Sequence, residues 1–217
     1  MSQTATTPGE SPADRFDERL SGRRSAAALR AKVLAKEREN FDAAVELLAA
    51  DPAVLAAAAL LAGARRRYVI GHGKSRSYAA MLSSDLTAGM ANVHQIDNAS
   101  LHSLDVLADV RDTDVLVCFS FHRYRHTSVV VAQEFAAAGG NLVVITDALT
   151  SPLIPLTDTV IVVGTESASY VNSPTAVTLL CHLLATLSVS SAKGAKRRIG
   201  RREDVAKQLG LYWDEAE

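Results

Sequence analysis

The sequence predicts an α/β protein, a three-layer α/β/α sandwich built on a five-stranded parallel sheet and preceded by a helical N-terminal extension. Three observations carry this expectation. From Arg67 onward, short strand-like runs alternate with segments of helical length. The runs Asp114–Phe119, Asn141–Ile145 and Thr159–Val163 are almost continuously apolar, as strands covered by helices on both faces are. Before Arg67, apolar residues recur at a helical period.

Taken in order, residues 1–22 are rich in Ser, Thr, Pro and charge and are expected to form a disordered tail. Residues 23–64 are expected to form N-terminal helices. The first spans Ala26 to Ala50, where Leu29, Val33, Leu34, Phe41, Val45 and Leu48 mark one apolar face. Asp51-Pro52 breaks it, and Pro52 suits the first turn of a second helix that runs to about Gly63. The α/β domain occupies residues 65–192. Its predicted elements are a strand at Arg67–Ile70, the glycine loop Gly71-His72-Gly73, a helix over Arg76–Met90 and a strand at Val93–Ile96. The apolar strand ending at Phe119 follows, then a helix over Thr127–Ala138, the last two strands and a long closing helix over Ser173–Ser190. Residues 193–217 form a basic C-terminal tail carrying Lys193, Lys196, Arg197, Arg198, Arg201 and Arg202. These charges serve nucleic acid, a neighbouring subunit or solvent.

Composition bounds the function classes. With 217 residues, 48% of them hydrophobic, and a net charge of −1, the chain has enough apolar material for one domain and no whole-protein nucleic-acid footprint. No apolar run reaches the ~18–20 residues of a membrane span; the alanine-rich stretch Val54–Ala64 stops at Arg65-Arg66-Arg67. Met1–Arg15 contains no apolar core of a secretory signal. Cys118 and Cys181 form no CxxC pattern and read as buried free thiols of a reducing compartment. The expectation is a cytoplasmic protein with no membrane contact, no metal and no cofactor.

In an open parallel sheet, ligands collect at the carboxyl ends of the strands. Three polar clusters fall there: Gly71-His72-Gly73-Lys74-Ser75-Arg76-Ser77, then Ser120-Phe121-His122-Arg123-Tyr124-Arg125, then Thr146-Asp147 with Ser151-Pro152-Leu153 close behind. The first is neither of two familiar phosphate loops. A Walker A loop would need glycine where Tyr68 stands, and a dinucleotide fingerprint would need Gly or Ala where Arg76 stands. What remains is a tight turn opening a helix. Its amides and the Ser75 and Ser77 hydroxyls suit one phosphate, while the same serines also suit helix capping. Ser120, directly after a buried strand, is assigned to the ligand; Arg123 and Arg125 face either ligand or solvent.

The stretches Tyr68–Ser77, Ser120–Arg125 and Thr146–Leu153 together resemble the SIS (sugar isomerase) domain, most closely the sugar-sensing half of the RpiR/MurR family of bacterial regulators. The resemblance covers about Glu37 to the C-terminus. It implies a flavodoxin-like sheet, binding of a phosphorylated sugar, and assembly through helices into a homodimer or homotetramer. It also implies phosphosugar contacts from Ser75, Ser77, Ser120 and Thr146, and Gly73, Lys74, His122, Arg123 and Ser173 complete the expected ligand-binding set. Regulators of that family carry a helix-turn-helix domain ahead of this one. Here a tail and two helices precede the sheet, so sequence-specific DNA binding is not expected.

Two functions remain open, a sugar-phosphate aldose–ketose isomerase and a non-catalytic phosphosugar sensor. Isomerisation needs a base that moves a proton between adjacent carbons. Glu166, after the fifth strand and ahead of Ser173-Pro174-Thr175, is the first candidate, because isomerases resembling this region carry a glutamate before a similar Pro-Thr. It serves equally as an exposed loop carboxylate. His72 is the second candidate.

Overall fold

The computed structural model describes residues 11–20 and 25–213. Three helices lead into the sheet. α1 (Pro12–Leu20) starts at a reciprocal cap in which the Asp14 amide donates to Ser11 Oγ (3.1 Å) and the Ser11 amide to Asp14 Oδ2 (2.8 Å). The expectation of disorder over residues 1–22 therefore fails for 12–20; its remaining residues, apart from Ser11, lie outside the described ones. α2 (Ala26–Ala50) is capped by Ser25, whose side chain accepts from the Ala28 amide. Asp51 ends α2 and begins α3 (Pro52–Gly63), its carboxylate accepting from the Ala53 amide at 2.9 Å while Pro52 takes the first helical turn.

The sheet then builds outward on both sides of its first strand. Its elements are β1 (Arg67–Gly71), α4 (Ser75–Gly89), β2 (Val93–Ile96), α5 (Ser103–Leu107), β3 (Val115–Phe119), α6 (His126–Ala137), β4 (Asn141–Thr146), β5 (Val160–Val162) and α7 (Thr175–Ser191). Strand order is β2-β1-β3-β4-β5, and every pairing is parallel. The predicted three-layer sandwich is the observed fold. Alternate residues of β1, β3 and β4 feed two cores. Val69, Val117, Phe119, Val143 and Ile145 pack with α2, α3, α4 and α7, while Tyr68, Ile70, Leu116, Cys118 and Val144 pack with α5 and α6. Both cysteines are buried and unpaired, and burial pushes each thiol up to about 12.

The last described element, α8 (Ala195–Gln208), gives the basic C-terminal stretch a helix that sequence patterning had not assigned. Ala195 and Ala206 are buried, and Arg198 Nε donates to the Thr87 carbonyl of α4 at 3.2 Å. At the amino edge of the sheet, Asp114 is fully buried and accepts a two-pronged contact from Arg65 (3.0 and 2.7 Å). No single described helix is long and apolar enough to cross a membrane.

Candidate functional site

Every parallel strand delivers its last residue to the same edge, so the loops after β1, β3, β4 and β5 meet there. The β1 loop turns tightly: a Cβ on Gly71 would lie 2.4 Å from the Ser75 carbonyl oxygen, so only glycine fits. Gly73 takes φ +62°, and a Cβ there would sit 3.4–3.8 Å from the Arg125 guanidinium. Arg125 therefore lies over this loop. The N-cap of α4 falls on Lys74, so neither Ser75 nor Ser77 takes the capping position. Ser75 is buried and Ser77 exposed; the amides of Arg76 and Ser77 return to the carbonyls of Gly73 and Lys74.

Lys74 reaches across the edge and donates to the Asn172 carbonyl. Burial holds its ammonium below the ordinary lysine range, opposed by the nearby Glu37 charge and reinforced by Arg15. His72 leaves the same loop toward α6, its Nδ1 2.8 Å from Ser128 Oγ. Burial, with Arg125 and Arg76 nearby, lowers its pKa from 6.5 and leaves the ring neutral at pH 7.

Three hydroxyls stand out at the ends of β3 and β4. Ser120 Oγ, Tyr124 Oη and Thr146 Oγ1 are buried, and among the described residues none makes a hydrogen bond. Burial raises the Tyr124 phenol, with the Asp147 charge adding to the rise and the neighbouring Thr150 and Thr146 hydroxyls opposing it. The backbone around them is firmly tied. The Ser120 amide donates to the Ile145 carbonyl at 2.9 Å, and the His122 amide donates to both oxygens of Asp147 at 2.9 and 3.1 Å. Arg123 is exposed and adopts φ +65°.

After β5, Thr165 Oγ1 donates to Asp147 Oδ2 at 3.4 Å and Asn172 Nδ2 to Thr165 Oγ1 at 3.3 Å, linking this loop to the β4 edge. Ser173 is buried; its hydroxyl and that of Thr175, at the start of α7, both donate to Glu37 Oε2 on α2. Glu166 turns to α2 as well, but to a different residue. Its carboxylate meets Lys36 Nζ at 3.0 Å, and its carbonyl accepts from Asn40 Nδ2 at 2.8 Å. It is half exposed and borders a shallow cavity of about 210 Å³ between α2 and the end of β5.

The edge thus gathers Gly73, Lys74, Ser75, Ser120, Thr146 and Ser173, with His72 on its α6 side and His122, Arg123 and Ser77 at its exposed border. Glu166 is engaged elsewhere. Patterning placed Asp147 in a strand-end cluster without giving it a role, left Arg125 open and missed Glu37 and Asn172, whose roles arise only from tertiary contact. Among the described residues no three His, Cys, Asp or Glu side chains converge as a metal site.

No curated protein sequence matches the chain. Solved structures of the same fold include the sugar isomerase domain of an RpiR transcription factor from Sphaerobacter thermophilus (TM-score 0.74, 23% identity, 82% of this chain and 98% of that one). The Vibrio vulnificus NanR protein complexed with ManNAc-6P aligns with TM-score 0.71 and 17% identity over 91% of this chain and 74% of its own. A hypothetical protein from Methanococcus jannaschii, whose structure infers a function of 3-hexulose-6-phosphate isomerase, aligns with TM-score 0.58 and 12% identity over 84% and 98%. At these identities the likeness is one of fold. The family model of the SIS domain matches residues 60–187, from the end of α3 through β5 to the closing helix, and the chain belongs to the SIS-domain family.

Proposed function

We propose that this chain binds a phosphorylated sugar at the carboxyl edge of its sheet and acts as a sensor of that metabolite. The observation that carries the reading is the trio of buried hydroxyls, Ser120, Tyr124 and Thr146, that no described protein group satisfies. A buried polar atom left unpaired costs about 1–3 kcal/mol, and such atoms persist where a ligand or solvent completes them. The Ser75 hydroxyl adds a donor, and Lys74 and Arg125 add positive charge, which together suit a phosphate. In this arrangement Gly73, Lys74, Ser75, Ser120 and Thr146 meet the phosphate, while Ser77, His122, Arg123 and Ser173 border the ligand. The NanR complex with ManNAc-6P supports the same ligand class on this fold.

A thermal-shift screen of sugar phosphates against their free sugars tests the reading. The phosphorylated forms should stabilise the protein and the free sugars should not; stabilisation by neither rejects it.

The sensor is favoured over the isomerase because the Glu166 carboxylate is paired with Lys36. The isomerase remains a second reading on account of His72, a neutral, partly buried imidazole able to accept a proton. Deuterium exchange from solvent into a bound phosphosugar separates them. The sensor predicts none. Exchange that collapses in His72→Gln or Glu166→Gln would establish the enzyme and its base. We further propose that two copies assemble through α2, where Leu34, Phe41 and Val45 expose an apolar stripe.

A further inference from the structure

We infer that Glu37 is a ligand-binding residue of this site, accepting hydrogen bonds from a hydroxyl or ammonium group at the end of the phosphosugar remote from its phosphate. It thereby rejects phosphosugars that carry a carboxylate at that end. This rests on the phosphosugar reading of the strand edge and adds to it the chemistry of the second half of the ligand.

Glu37 and Lys36 are neighbours on α2, yet their side chains part. Lys36 pairs with Glu39 and Glu166, whereas Glu37 accepts from Ser173 and Thr175 at the first turn of α7. Both of those bonds fall on Oε2. Among the described residues none falls on Oε1, so a fixed carboxylate keeps one oxygen as an acceptor. Its charge acts on the Lys74 ammonium and on the Tyr78 phenol, one from the β1–α4 loop and the other from the first turn of α4. Glu37 is partly buried. The carboxylate therefore borders the phosphate loop, with Lys74 bridging to the opposite wall at Asn172.

A carboxylate beside an anion cradle gives the site a direction. Phosphate is drawn to Lys74, Arg125 and the orphan hydroxyls and repelled from Glu37. Hydroxyl and ammonium groups donate to Glu37 in charge-assisted bonds, about twice as strong as neutral ones. A carboxylate on the ligand in the same place meets like charge in a partly desolvated position. The predicted substrate class is a phosphosugar with neutral or amino substitution at its far end, not a phosphorylated sugar acid.

Calorimetry on the full chain tests this with inorganic phosphate, fructose 6-phosphate and 6-phosphogluconate as probes. Glu37→Gln should weaken fructose 6-phosphate by about 10- to 100-fold, leave inorganic phosphate unchanged and strengthen 6-phosphogluconate. Glu46→Gln, at an exposed carboxylate of the same helix, should leave all three unchanged. Equal losses for inorganic phosphate and fructose 6-phosphate would reduce Glu37 to a staple for α7 and overturn the inference. So would unchanged affinities, or wild-type protein that binds fructose 6-phosphate no better than inorganic phosphate. Wild-type protein that binds none of the probes rejects the phosphosugar reading itself, and this inference with it. If Glu37→Gln does not fold, Glu37→Asp, which withdraws the carboxylate by one methylene, should show the same selective loss of fructose 6-phosphate.

Discussion

Ser120 and Thr146 are small polar residues placed where a valine or alanine would pack without penalty. Each is buried with a hydroxyl that no described group satisfies, at the end of a strand otherwise filled with apolar side chains. Replacing such a residue by an apolar isostere removes the desolvation cost along with the hydroxyl. Thr146→Val should accordingly match or exceed wild-type stability, by up to about 1 kcal/mol in urea unfolding, while weakening phosphosugar binding. A large loss of stability would show the hydroxyl is satisfied internally. His72 adds a pH dependence. Its folded pKa lies below the ordinary 6.5, so as pH falls the unfolded chain takes up a proton before the folded one does. Stability contributed this way is complete above about 6.5 and is lost as pH falls from there through the lowered value. His72→Gln should flatten that part of the stability–pH curve; an unchanged slope would assign it to other groups. Residues that directly follow strands were legible in the sequence, because a parallel sheet sends all of them to one edge. Glu37 was not, since 136 residues separate it from its partner Ser173 and only the packing of α2 on α7 joins them.

At the scale of elements, α1 shows what patterning overlooked. A composition rich in Ser, Pro and charge reads as disorder, yet Ser11-Pro12 with Asp14 two positions further on is a helix start. The Ser11 hydroxyl and amide hold the Asp14 carboxyl below the usual carboxylate range. The helix then earns its place by contact with the loop that precedes α7. Arg19 donates to the carbonyls of Ser167 and Ser169 at 2.9 and 3.1 Å, Arg15 donates to Asn172 Oδ1, and Phe16 meets Tyr170 edge-on at 6.1 Å. Loss of an N-cap costs about 1 kcal/mol. Ser11→Ala should therefore speed amide exchange over residues 12–20 by roughly fivefold and leave the sheet's protection intact. Unaltered exchange would show that docking alone holds α1. α8 was missed for a related reason: its charge density reads as solvated tail, and of its residues only Ala195 and Ala206 are buried.

The whole molecule follows from a pattern visible before any coordinates: continuous apolar strands separated by helices demand a covered parallel sheet, and a sheet of that kind puts its loops at one end. The order β2-β1-β3-β4-β5 makes β1 and β3 neighbours, and so brings the glycine loop of one beside Ser120 of the other. Assembly is a matter of surface at this scale. With Leu34, Phe41 and Val45 exposed along α2, the protein should scatter light as a dimer or larger at micromolar concentration, and Phe41→Glu should shift it toward monomer. A monomeric wild type would contradict this. Calorimetric titration of fructose 6-phosphate into wild type and Ser120→Ala tests most directly whether the strand-end hydroxyls receive the phosphate of a phosphosugar. Wild type should bind the phosphate ester saturably and free fructose not at all, and the affinity should fall about tenfold or more in the variant. Equal affinity in the two proteins, or binding of the free sugar as tight as that of its phosphate, would contradict it.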